Sequence, residues 1–162
     1  MHFILLFKLT SFIQAKENEG KFMEAADAYE QCGDVDSSVR NYLKADRPDE
    51  AIRVGRDSGS SVAANDIARY FEQKGDLETA MRFLVVSKFC DDALFLAFKT
   101  SKQEAYVDIV AAEYEVIPEE FKPGIRRIAN YFDELKDPFK AGRMYKIAGD
   151  STKVIRKAMH WA

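Results

Sequence analysis

The apolar positions of this chain recur with the period of a helix. Phe22, Ala25, Ala26 and Tyr29 fall at i, i+3, i+4 and i+7, and so do Ile128, Tyr131, Phe132 and Leu135. Leu77, Ala80, Met81, Leu84 and Val85 extend the same stripe by one place. This spacing gathers side chains on one helix face, which then needs a neighbour to cover it. Along Ala93–Phe98 the apolar character runs all the way round, which predicts a helix flanked on several sides.

The stripes are broken at short intervals by helix-ending chemistry. Gly20, Gly33-Asp34, Gly75-Asp76 and Gly149-Asp150 each supply a glycine able to close a helix in the left-handed conformation, and three of them add an aspartate able to cap the next helix. Asp137-Pro138 sets a capping carboxylate before a proline at the first helical position. Ser101-Lys102-Gln103-Glu104 has the spacing of a capping box. Helices of about a dozen residues joined by short turns are therefore expected.

The chain also resembles itself. Ile67-Ala68-Arg69-Tyr70-Phe71 matches Ile128-Ala129-Asn130-Tyr131-Phe132, 61 residues on, and the same offset carries Asp76 to Asp137, Ala80 to Ala141 and Arg82 to Arg143. An offset of 55 carries Gly20 to Gly75 and Ala25 to Ala80. Each offset spans about two helical hairpins, close to twice the tetratricopeptide period of roughly 34 residues. Alanine recurs in the second helix of successive hairpins, at Ala25, Ala51, Ala80 and Ala141, with Tyr29, Leu84 and Tyr145 four places beyond three of them. A small residue there lets two backbones approach while the large one fills the wedge.

The fold expected is thus all-α, an α-α superhelix or tetratricopeptide-like solenoid of about five antiparallel hairpins. The hairpins are predicted at about 10–32, 35–57, 61–87, 91–116 and 125–148, with a sixth opening at Ser151. Residues 1–162 read as a single repeat segment. Its apolar ends, Phe3–Leu9 and Met159–Trp161, suggest a fragment of a longer array.

Composition narrows the function classes. Hydrophobic residues make up 47% and charged residues 31% of the sequence, as in folded rather than disordered chains. The 24 Lys+Arg and 27 Asp+Glu are interleaved and leave a net charge of -3, against the one-sided basic surface that nucleic acid requires. Arg126 and Arg127 sit among apolar helix positions and read as a solvated face. The opening Met1–Leu9 run is interrupted by Lys8 and falls short of the roughly 20 apolar residues of a membrane span, so no membrane insertion is expected. Cys32 and Cys90 stand far apart; they read as small core residues in a reducing compartment, with redox sensing the alternative.

No catalytic, cofactor-binding or metal-binding residue is assigned, and none of the phosphate-loop, dinucleotide, nucleophile-elbow or paired-histidine motifs occurs. The two histidines, His2 and His160, lie at opposite ends. Asp91-Asp92 and Glu119-Glu120 are carboxylate pairs at expected helix N-termini, where negative charge is favoured. Arg56-Asp57-Ser58-Gly59-Ser60-Ser61 reads as an inter-hairpin turn with a serine cap, an anion cradle being the alternative. Pro118–Gly124 is the longest predicted break and a candidate partner contact. The expected role is non-enzymatic protein binding, with the partner-binding residues unassigned.

The residues that carry a family likeness are Gly59–Asp76, Ala80–Lys88 and Ala93–Ala97, with Phe83–Lys88 the most specific, resuming at Ile128–Phe132 and Ala141–Tyr145. Over most of its length the chain resembles the helical repeat region of the WD repeat-containing protein 19 family, subunits of intraflagellar transport complex A. That resemblance implies a scaffold in retrograde ciliary transport and cilium assembly, without the propellers of the family. It implies other complex A subunits as partners, ciliary membrane-protein cargo adaptors as further ones, and a location in the cilium, the ciliary base and the cytoplasm. A vesicle-coat or tethering solenoid is one alternative. Another is a peptide-binding tetratricopeptide module, for which Asn41, Lys44 and Asn65 are residues of the right types.

Overall fold

The computed structural model describes residues 2–159, which form eleven helices and no strand. They are α1 His2–Asn18, α2 Phe22–Gln31, α3 Val35–Lys44, α4 Pro48–Arg56, α5 Ser61–Gln73 and α6 Leu77–Val86. Then follow α7 Cys90–Lys99, α8 Gln103–Glu113, α9 Lys122–Glu134, α10 Pro138–Ile147 and α11 Ser151–Met159. The helices fall into two compact units, Met1–Phe83 and Leu84–Ala162, with α6 running across the division. The expected hairpins at 35–57, 61–87, 91–116 and 125–148 coincide with the successive helix pairs from α3 and α4 to α9 and α10, and α11 is the extra helix at Ser151. The first, expected at about 10–32, begins earlier, because α1 opens at His2 and takes in the apolar run before residue 10.

One turn type joins most of these helices. At Gly20, Gly33, Gly75 and Gly149 the backbone turns left-handed, with φ between 73 and 81°. The next residue's N–H then reaches the carbonyl five residues back, as from Asp34 to Tyr29 at 3.0 Å and from Asp150 to Tyr145 at 2.8 Å. Asp46, Lys88, Ser101 and Lys136 build the same turn at φ 57–62° without a glycine. These bonds satisfy carbonyls that a helix end otherwise leaves unpaired.

The turn sets a metre. Helices α2 to α5 begin at 22, 35, 48 and 61, and α6 to α8 at 77, 90 and 103. Most units are thus a ten-residue helix and a three-residue turn; α5 and α9 have 13-residue helices. The sequence offset of 55 carries α2 onto α6, and that of 61 carries α5 onto α9. Both are four helix units, or two hairpins.

Within the first unit α3 packs on α2, α4 and α5, and α1 on α2; within the second α7 packs on α8 and α9, and α10 on α9 and α11. Contact between first helices of successive hairpins, α3 with α5 and α7 with α9, is the stacking that a repeat needs to bury its stripe. Ala25, Ala51, Ala80 and Ala141 are fully buried, as expected, and Ser38 takes the same fourth position in α3. The Ser38 hydroxyl donates to the Ala26 carbonyl at 3.0 Å, across the close α2–α3 contact.

Several expectations fail for local reasons. Ser101 does not cap α8: it occupies the left-handed turn closing α7, and Lys102 takes the cap position with no side-chain bond. The break before α9 runs over 114–121, because Lys122-Pro123-Gly124 belong to the helix, with proline in its first turn. Phe95 is 70% exposed, so α7 keeps one face bare. Leu135 lies at the C-terminal cap of α9 and is exposed as well. Neither cysteine is core: Cys32 is exposed at the end of α2 and Cys90 half-buried at the start of α7. His160 and Trp161 lie outside the described residues, as does the side chain of His2.

Candidate interaction surfaces

The sequence-assigned caps hold where the metre allows. Asp34, Asp76 and Asp137 accept from the backbone N–H groups of Ser37, Thr79 and Lys140 at 3.0–3.1 Å. Asp150 turns its carboxylate to Arg126 instead, 2.9 Å away, which removes Arg126 from the free basic face and leaves Arg127 exposed over the Phe98 ring. Ser60 accepts from the Ala63 N–H at 3.1 Å and donates to Asp36, so the 56–61 stretch is a capped turn between hairpins. Asp91 and Asp92 lie in the first turn of α7, as expected. Glu119 pairs with Lys122 and Glu120 with Lys88.

A set of polar ties between helices was not read from the sequence. Tyr29, Tyr42 and Tyr145 each stand eighth in a ten-residue helix and reach a carboxylate 12 residues earlier on the preceding helix. Tyr29 donates to Glu17 at 3.3 Å, and Tyr42 lies 2.7 Å from both Glu30 and Asp27. Tyr145 meets Asp133 at 2.8 Å and Asn130 at 2.6 Å. Glu30 is also gripped by the two terminal guanidinium nitrogens of Arg53, each at 2.8 Å, which joins α2, α3 and α4. The signal available in the sequence is a tyrosine following a carboxylate at that interval.

Charge and burial tune these groups. Arg53 first, then Tyr42, holds the Glu30 carboxyl below its ordinary range. Burial, reinforced by Asp133, pushes the Tyr145 phenol up to about 12, and burial with Asp27 and Glu30 pushes Tyr42 upward too.

Of the residues expected for peptide binding, Asn41 is buried and donates to Glu17 at 2.7 Å and to the Ser37 carbonyl at 2.9 Å. Asn65 is turned onto its own helix, donating to the Ser61 carbonyl. Lys44 alone lines an open groove between α3 and α5, whose walls include Arg40, Leu43, Arg69 and Tyr70. Asp66 lies low in that groove with its side chain 20% exposed, 3.5 Å from Arg40 and 3.8 Å from Arg69. At one end Asp46 accepts from Tyr70 and pairs with Lys74 at 3.2 Å, and the Tyr70 bond is the main cause that holds its carboxyl low.

Among the described residues no group of three or more His, Cys, Asp or Glu side chains is arranged to hold a metal, and no helix is long and apolar enough to cross a membrane. Helix pairs stacked within each unit, with polar ties on their flanks and an open groove between first helices, define a tetratricopeptide-like helical repeat segment. The profile of the tetratricopeptide-repeat domain shared by intraflagellar transport proteins 140 and 172 matches residues 9–161, and the chain belongs to that family. It is 34% identical to WD repeat-containing protein 19 of Mus musculus and 33% identical to that of Homo sapiens, over 146 residues in each case, 90% of this chain. It is 37% identical over 95 residues, 58% of the chain, to WD repeat-containing protein dyf-2 of Caenorhabditis elegans. The chain spans about a tenth of the length of these relatives, 10% of the first two and 7% of the third.

Proposed function

We propose that this chain is a non-enzymatic scaffold segment of an intraflagellar transport assembly, binding other subunits of complex A in retrograde ciliary transport and cilium assembly. The family match over residues 9–161 carries this reading. The architecture supports it, since stacked helix pairs present long outer faces to partners. On this reading residues 1–162 are one stretch of a longer repeat array, and ciliary membrane-protein cargo adaptors are a second class of partner. The protein then resides in the cilium, at its base and in the cytoplasm.

Affinity-tagged protein carrying this segment, isolated from ciliated cells, is expected to bring down complex A subunits and to localise along the cilium. Recovery of none of them, with signal on Golgi or endosomal puncta instead, would favour a vesicle-coat or tethering role and remove the proposal.

A further inference from the structure

The groove between α3 and α5 reverses the sign of the chain. The whole sequence carries a net charge of -3. The groove gathers four cations, Arg40, Lys44, Arg69 and Lys74, against two carboxylates, Asp46 and Asp66. Both carboxylates already have partners inside the groove: Asp46 has Tyr70 and Lys74, and Asp66 has Arg40 and Arg69. Two positive charges are therefore left over. The guanidinium groups of Arg40 and Arg69 remain open to solvent, with 51% and 67% of their side chains exposed. Lys44, four residues beyond Arg40 on α3, is an exposed residue whose ammonium rests over the Phe22 ring.

We propose that this groove receives an acidic, partly apolar peptide segment of a partner protein, its carboxylates lying between Arg40 and Lys44 of α3 on one side and Arg69 of α5 with Lys74, at the C-terminal cap of that helix, on the other. Cationic walls attract and orient carboxylates, while Leu43 and the Tyr70 ring give apolar side chains a surface to cover. Asp46 and Asp66 argue against nucleic acid, whose unbroken run of phosphates needs a one-sided basic surface. This inference rests on the scaffold reading and deepens it by naming one face and one partner chemistry.

The test is fluorescence anisotropy with the 162-residue chain and a labelled, C-terminally amidated dodecapeptide of alternating glutamate and leucine pairs. Saturable binding that weakens with salt is expected, and a lysine-for-glutamate version of the peptide is expected not to bind. Lys44→Glu is expected to weaken binding about tenfold and Arg69→Gln about fivefold, while Arg56→Glu, on α4 outside the groove, changes it less than about twofold. Should Lys44→Glu fail to fold by circular dichroism, Arg69→Gln carries the comparison. Absence of saturable binding, equal loss in the Arg56 variant, or tighter binding of a single-stranded oligonucleotide than of the peptide would overturn the assignment. The titration needs no other subunit. Failure to recover complex A from cells and failure of the groove are therefore separate results.

Discussion

Two helical glycines offer a controlled test of how closely these helices approach. Gly55 in α4 is buried, and a Cβ built on it would lie 2.7 Å from Ile67 Cδ1 and 3.5 Å from Val39 Cγ2. Gly142 in α10 has nothing within 4 Å of the same position. In open space, replacing a helix-interior glycine by alanine stabilises by about 1 kcal/mol, because the unfolded chain loses freedom. Gly142→Ala should realise that gain. At Gly55 the same gain is opposed by overpacking, which costs about 1–3 kcal/mol in a filled core, and Ile67 and Val39 are both fully buried. Gly55→Ala should therefore lie below Gly142→Ala by about 1–3 kcal/mol.

At this chain length 1 kcal/mol moves the midpoint by about 2–4 °C, so thermal melts followed at the helical circular-dichroism band resolve the difference. A second substitution identifies the cause. Ile67→Val removes the atom that the new methyl would strike. Alone it should cost about 0.5–1.5 kcal/mol; combined with Gly55→Ala it should cost less than the two separately, a coupling of about 1 kcal/mol. Equal stabilisation by both alanines, or strict additivity with Ile67→Val, would refute the close α4–α5 approach.

Three further outcomes follow from the same contacts. Tyr145 titrates at about 12 in the fold against an ordinary 10; its contribution is complete below pH 10 and is lost as pH rises towards 12, so Tyr145→Phe should flatten the fall of the melting midpoint across that window. Lys136 holds a left-handed turn at φ 58°, where a side chain costs about 1–2 kcal/mol and glycine's extra freedom about 0.5–1 kcal/mol; Lys136→Gly should raise the urea midpoint, and a lower midpoint would contradict the turn assignment. Among the described residues the buried Tyr106 hydroxyl has no hydrogen-bond partner. Tyr106→Phe should leave stability unchanged or raise it by about 1 kcal/mol, and a loss larger than that in thermal melts would mean the hydroxyl makes a contact of its own.

Much of the architecture was legible because it rests on local rules. The Gly-Asp pairs mark turns whose φ values only glycine adopts without strain, and the alanines mark places where helices touch. The rest depends on register or on distant neighbours. Ser101 has the right chemistry for a cap but stands one residue early, in a turn that any residue can enter at a cost. Phe95 and Leu135 obey the helical period, yet among the described residues both stay exposed, since no described helix covers the faces they occupy. The tyrosine ties join residues 12 apart on successive helices, an interval that becomes meaningful only once the 13-residue metre is known. The groove is invisible to a scan for charge runs, since its cations come from two helices and the turn beyond the second.

That metre also governs how the chain gives way under load. In the packing described, helices are held by sequence neighbours or by the next helix but one, so a pull along the backbone meets resistance one short unit at a time. Peeling one unit of 13 residues would free at most about 45 Å of extended chain. Such an array lengthens in increments under tension and rewinds from whatever stack remains.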